Sequence, residues 1–146
     1  MITVPKRRCR SASKRSGMEP LFCELYVDTD EEIEELEKAI RRASEHAFAD
    51  ISVEFVVYRN DDFDPSAKQR YPYSSIEASQ YLAEVSPQTD LSEQPTQYQL
   101  GVARLIGALR EPGRIVSASC DFEDLIAKET GWNWTRDQPE PPGEIR

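Results

Sequence analysis

LFCELYV, residues 21–27, is the stretch from which the rest of the chain can be read. Leu21, Cys23, Leu25 and Val27 alternate with Phe22, Glu24 and Tyr26. That period of two belongs to a half-buried strand. Shortly after it, Thr29-Asp30-Glu31-Glu32 has the Ser/Thr-x-x-Glu form of a capping box. In such a box the hydroxyl accepts from a backbone amide three residues on and the glutamate reaches back. Acids early in a helix also suit its positive end. Ile33, Leu36, Ile40, Ala43 and Ala47 then recur at spacings of three and four, one apolar stripe on a helix. A strand thus hands over directly to a one-sided helix.

Working outward, residues 51–58 form a second strand, with Ile51, Val53, Phe55 and Val57 on its apolar face. A third strand is expected within residues 73–82, with Ile76, Ala78 and Leu82 on one face, followed by a loop over residues 86–95. Tyr98, Val102, Leu105, Ile106 and Leu109 mark the buried stripe of a second helix, and Pro112-Gly113 stops it. Residues 115–122 are the fourth strand, with Val116, Ala118, Cys120 and Phe122 on one face. The order is β-α-β-β-α-β, an α+β chain in which two helices cover one face of a four-stranded antiparallel sheet. Over residues 20–124 this resembles the ferredoxin-like split βαβ arrangement. Cys23 and Cys120 then lie under the helices as small core residues. The other sheet face carries Phe22, Glu24, Tyr26, Glu54, Val56, Tyr58, Ser117 and Ser119.

The 146 residues suit one domain, residues 20–137, with a leader over 1–19 and a proline-rich tail over 138–146, both expected to be disordered. The net charge of −9 hides an asymmetry. Residues 1–17 carry six Lys or Arg and no acid, so 27 acids face the 12 remaining bases in the body, a net of −15. Such a body repels nucleic acid and attracts basic proteins. The leader reads either as a basic arm for nucleic acid or membrane, or as a disordered segment ahead of Met18; it has no aromatic residue for stacking on bases. No apolar run reaches the roughly 18 residues of a membrane span, and no apolar stretch follows the basic leader as a secretory signal needs. Cys9, Cys23 and Cys120 are widely spaced, an odd number without a disulfide framework, which suits a reducing cytoplasm. Trp132 and Trp134 read either as anchors that dock on the domain or as an exposed binding platform.

The chemistry of the chain concentrates in RNDDFDPSAKQRYPY, residues 59–73. Asn60, Asp61, Asp62 and Asp64 fall within five positions. Counted from Asn60, a calcium loop would find oxygen ligands at positions 1, 3 and 5 (Asn60, Asp62, Asp64), but Pro65 and Tyr71 stand where such a loop needs its glycine and closing glutamate. No metal and no cofactor is therefore expected. His46 is the only histidine and falls at the end of the first helix, where a contact with the helix dipole suits it better than catalysis. The six glycines form no phosphate-binding cluster. The chain reads as a non-enzyme. The loop reads as an exposed acidic projection, joined by Asp121, Glu123 and Asp124 in CDFED, residues 120–124. Its alternative reading is a solvated surface that only confers solubility.

In its NDDFD loop, its CDFED strand end, its one-domain size and its acidity, the chain resembles the small acidic immunity proteins that bacteria encode beside polymorphic or contact-dependent toxins. That resemblance implies a cytoplasmic protein that blocks a cognate basic toxin by complementary charge. Asn60, Asp61, Asp62, Phe63, Asp64, Tyr71, Tyr73, Asp121, Glu123 and Asp124 are then the partner-binding residues. The basic leader departs from this pattern. The alternative function is a regulatory or small-molecule-binding module that dimerises through its open sheet face.

Overall fold

The computed structural model describes residues 21–69, 74–89, 91 and 95–131, with the side chains of Lys68, Gln69 and Ser75 excepted. The leader, Tyr71, Tyr73, Trp132, Trp134 and the tail lie outside the described residues. Within the described residues the elements are, in order, β1 (Cys23–Asp28), α1 (Ile33–Ala47), β2 (Val53–Arg59), a 3-10 turn (Pro65–Gln69), α2 (Ser75–Ala78), β3 (Tyr81–Pro87), α3 (Pro95–Arg110), β4 (Ile115–Cys120) and α4 (Glu123–Thr130).

The alternation in residues 21–27 becomes the centre of the sheet. Cys23, Leu25 and Val27 are fully buried on one side of β1. The strand order is β2-β3-β1-β4, and every neighbouring pair is antiparallel. Leu36 and Ile40 of α1 and Tyr98, Val102, Leu105, Ile106 and Leu109 of α3 share one core with the inward faces of the strands. Both stripes lie where their spacing placed them. Burying a leucine or isoleucine side chain of this kind contributes about 2 kcal/mol. The fold is α+β: a four-stranded antiparallel sheet with helices.

Three expectations are corrected. First, Thr29 does not cap α1. The helix starts at Ile33, and Glu32 is an N-cap whose side chain makes no capping bond. The Thr29 hydroxyl instead accepts from the Glu31 amide at 3.3 Å and donates to Glu31 Oε1 at 2.9 Å. Glu31 is held by Arg114 and Tyr81, so the chain makes a turn before the helix can begin.

Second, the third strand lies later than residues 73–82. Ser74 accepts from the Glu77 amide at 3.4 Å and opens the short helix α2, leaving Ile76 43% exposed. The inward face of β3 is Tyr81, Ala83 and Val85, and the strand runs on to Pro87 through the start of the expected loop.

Third, β4 ends at Cys120, and Phe122 is the N-cap of an additional helix, α4. Arg110 ties this helix to the sheet. Its guanidinium donates to the Val116 carbonyl from Nε (3.3 Å) and Nη2 (2.9 Å), and from Nη1 to the carbonyls of Thr130 (3.1 Å) and Gly131 (3.0 Å). All these acceptors are neutral, and burial lowers the Arg110 pKa to about 10, still well above neutral pH.

Candidate functional site

The acidic turn is built from the end of β2. Arg59 is the last residue of the ladder, opposite Tyr81, and the Asn60 amide continues the pairing with a 2.8 Å bond to the Gln80 carbonyl. Asn60 itself is only 6% exposed. Its Nδ2 donates to the carbonyls of Ile76 (2.6 Å) and Ser79 (2.8 Å), while its Oδ1 accepts from the Asp62 amide (3.1 Å). The Phe63 amide returns to the Asn60 carbonyl at 3.1 Å. Asn60 is therefore an internal brace, and its amide is committed inside the loop instead of facing a partner as expected.

Asp64 closes the other side of the turn. Its amide donates to the Glu77 carbonyl at 2.7 Å, and its Oδ1 accepts from the Ser66 amide (3.0 Å) and hydroxyl (2.9 Å), which starts the 3-10 turn. Between these fixed points Asp61 and Asp62 are exposed, and Phe63 is half-buried. Two of the three oxygens that would open a calcium loop are thus engaged in local turn bonds. Among the described residues, no group of three or more His, Cys, Asp or Glu side chains could hold a metal ion.

Asp121, Glu123 and Asp124 are not part of the same surface. Arg59, Tyr81, Val27 and Val116 form one cross-strand row, while Phe55, Val85, Cys23 and Cys120 form another four residues away along each strand. The acidic turn leaves the first row and CDFED leaves the second. The rows alone are about 13 Å apart at the rise of a strand, and the two chain segments depart from opposite ends of the sheet. Asp121 and Asp124 are exposed at their end. Glu123 Oε2 accepts from the Cys120 amide at 3.0 Å and helps to stop β4. The sequence grouped these acids by composition; the topology separates them.

Further acids share the acidic turn's end of the sheet: Asp28, and the Thr29–Glu31 stretch that the sequence reading used only as a helix start. Asp28 ends β1 and Ile115 begins β4 directly opposite it, at the same end of the sheet as Arg59. Asp28, Thr29, Asp30 and Glu31 face Pro112, Gly113, Arg114 and Ile115 across a cleft of about 550 Å³. Asp30 is exposed. The Arg114 guanidinium holds the Glu31 carboxyl below the ordinary glutamate range, helped by the Thr29 hydroxyl and opposed by partial burial. Asp28 and Asp30 could have been found from the topology alone, since β1 and β2 run parallel and end on the same side.

The sheet face away from the helices is less open than expected. Tyr26 (8% exposed), Leu82 (4%) and Ser117 (8%) are buried there. Tyr26 and Tyr58 donate to Glu24 Oε1 (3.4 Å) and Glu84 Oε1 (3.2 Å), carboxylates that oppose one another across β1 and β3. Val56 is 48% exposed on this face. His46 stands exposed in the last turn of α1, with Nδ1 3.4 Å from the Arg42 carbonyl, the helix-end position expected of it. No helix among the described residues is long and apolar enough to cross a membrane.

No family model, no curated protein and no solved structure matches this chain. The site must be read from its own chemistry.

Proposed function

We propose that this domain is an acidic binding protein that neutralises a basic protein partner, in the manner of a small immunity protein acting on a toxin, and that it performs no catalysis. The observation that carries the reading is the bracing of the acidic turn. Asn60 and Asp64 spend their side chains holding Asp61 and Asp62 in a fixed, exposed position. The three hydrogen bonds of buried Asn60 stabilise the fold, and they also preorganise the charges beside it, which lowers the entropy lost on docking. Exposed carboxylates steer a basic protein into place and half-buried Phe63 adds contact area. The partner surface is then the loop end of the sheet, which carries Asp28 and Asp30 as well as Asp61 and Asp62. Cytoplasmic residence and no role for nucleic acid, membrane or cofactor belong to this reading.

A second reading draws on exposed Val56. Here the order β2-β3-β1-β4 is a ferredoxin-like sheet whose outer face pairs with a second copy or holds a small ligand, and the domain is a regulatory module. Affinity capture from the native host separates the two. Stoichiometric co-purification of a basic protein whose activity the domain blocks supports the first reading. A homodimer in light scattering that Val56→Lys dissolves, with no such protein captured, replaces it by the second.

A further inference from the structure

Cys23 and Cys120 stand directly opposite one another on β1 and β4. Opposed residues of an antiparallel pair have Cα atoms about 4.5 or 5.5 Å apart, according to their place in the ladder. Both spacings fall in the range of roughly 4.4–6.8 Å that a disulfide bridges. Both side chains belong to the helix-covered face: Cys23 is fully buried in the core, and Cys120 packs against it while staying partly exposed. Both cysteines are free, and the Cys23 thiol makes a weak bond to the Glu24 carbonyl at 3.9 Å. Cβ atoms of opposed residues are about 4.5–5.5 Å apart, so a bridge requires a closing movement of about 1 Å. Cys120 can supply it, because it is the last residue of an edge strand.

We propose that Cys23 and Cys120 form a dithiol oxidation site, which a hydroperoxide converts reversibly to a disulfide that staples edge strand β4 to β1. Cys120 is the entry point because it alone of the pair reaches solvent. Its thiolate sulfur attacks one peroxide oxygen, the O–O bond breaks, the departing oxygen leaves as water after taking up a proton, and Cys120 becomes a sulfenic acid. The Cys23 sulfur then attacks the Cys120 sulfur. The S–S bond forms, the S–O bond breaks, and the hydroxyl leaves as water with the Cys23 proton. Two thiols are oxidised by two electrons in total, and hydrogen peroxide is reduced to two waters. Burial, followed by the neighbouring Cys120, pushes the Cys23 thiol well above its ordinary range, so Cys23 keeps its proton until this second step. The register brings the two sulfurs together and the difference in burial sets the order of events: the accessible thiol is oxidised first, and the buried one resolves it.

The experiment treats the full chain carrying Cys9→Ser, which removes the third thiol, with hydrogen peroxide and follows intact mass. The expected result is the loss of two hydrogen atoms per chain, a peptide containing Cys23 joined to one containing Cys120, and full reversal by dithiothreitol. The oxidised form should also melt at a higher temperature, since the closed loop takes in most of the domain. Adding Cys120→Ser should abolish the mass loss and leave Cys23 open to alkylation after denaturation. The proposal is overturned if Cys120 proceeds to sulfinic acid while Cys23 stays a thiol, or if the only disulfide formed joins two chains through Cys120. Cys23→Ala is a second control; should it fold poorly, the peptide map and the Cys120→Ser variant decide alone.

Discussion

Arg114 grips Glu31 with two parallel bonds, Nε to Oε1 at 2.7 Å and Nη2 to Oε2 at 2.9 Å, across 83 positions of sequence. The guanidinium side is 11% exposed and the carboxylate side 35%. The pair ties the β1–α1 turn to the α3–β4 turn at the end of the sheet that carries the acidic turn. A two-pronged contact of this kind is worth more than a single surface pair, yet solvent screens its outer half.

Glu31→Gln should therefore cost about 1 kcal/mol at neutral pH. The sign of its pH dependence follows from the direction of the shift. Folding lowers the Glu31 pKa from 4.5, so its stabilisation is complete above that value and is lost as pH falls through the depressed folded value. Urea melts from pH 7 to pH 2.5 check this. The gap between wild type and variant should be constant down to about pH 5 and close below it. A gap that stays constant to the lowest pH would mean that Glu31 contributes packing and not charge.

Gly101 lies where α3 passes the C-terminal end of α1. A Cβ there would overlap Phe48 Cδ1 and stand 2.7 Å from Cε1. The Phe48 ring is 2% exposed and stacks on Tyr98 at 5.6 Å, so it has little room to yield. Alanine favours a helix over glycine by up to about 1 kcal/mol, but overpacking a closed core costs roughly 1–3 kcal/mol. Gly101→Ala should be net destabilising in chemical denaturation. In a Phe48→Leu background the added methyl should cost less, because the two positions share one space.

Asn60→Asp tests the brace. The substitution removes the two N–H donors that face the Ile76 and Ser79 carbonyls and puts a carboxylate there. The expected loss is about 2–4 kcal/mol at pH 7. It should shrink at acid pH, where the introduced carboxyl regains a proton to donate. Amide exchange at Asp61, Asp62 and Phe63 should quicken at the same time. Unchanged exchange there would show that the turn is held by its backbone alone.

Strands and helices with a full period of buried residues were legible in the sequence. Cys23, Leu25 and Val27 on β1 and the five-residue stripe of α3 are each at most 1% exposed. The misplaced third strand had a local cause. Ser74 of Ser74-x-x-Glu77 is a working N-cap, while Thr29-x-x-Glu32 has the same form and does not cap α1. The motif cannot tell whether neighbouring Glu31 is already claimed by an arginine 83 residues away. Helix α4 escaped notice because only Ile126 within it is buried, too little to make a stripe. The acidic turn was visible as a cluster, but its division of labour was not. Asn60 and Asp64 as braces, and Asp61 and Asp62 as the exposed pair, depend on carbonyls from residues 76–79 that only the folded chain supplies.

That division, together with the separation of the two acidic groups, gives the sharpest functional prediction. A basic partner that docks on the loop end contacts Asp61 and Asp62, has Asp28 and Asp30 at the same end of the sheet, and stays clear of the end where β4 runs into Asp121 and Asp124. Asp61→Asn with Asp62→Asn should slow association with a captured partner several-fold while barely altering its dissociation, as charges at an interface rim do. Asp121→Asn with Asp124→Asn removes the same formal charge from the opposite end. It should change the on-rate far less at 0.15 M salt, where the screening length is about 8 Å and the rows are separated by about 13 Å. Lowering the salt to about 0.01 M lengthens the screening to about 30 Å, so the two double variants should then converge. Stopped-flow binding at the two ionic strengths measures both effects. Equal slowing by the two variants at physiological salt would mean that overall charge alone recruits the partner, and the braced turn would lose its claim to be the docking site.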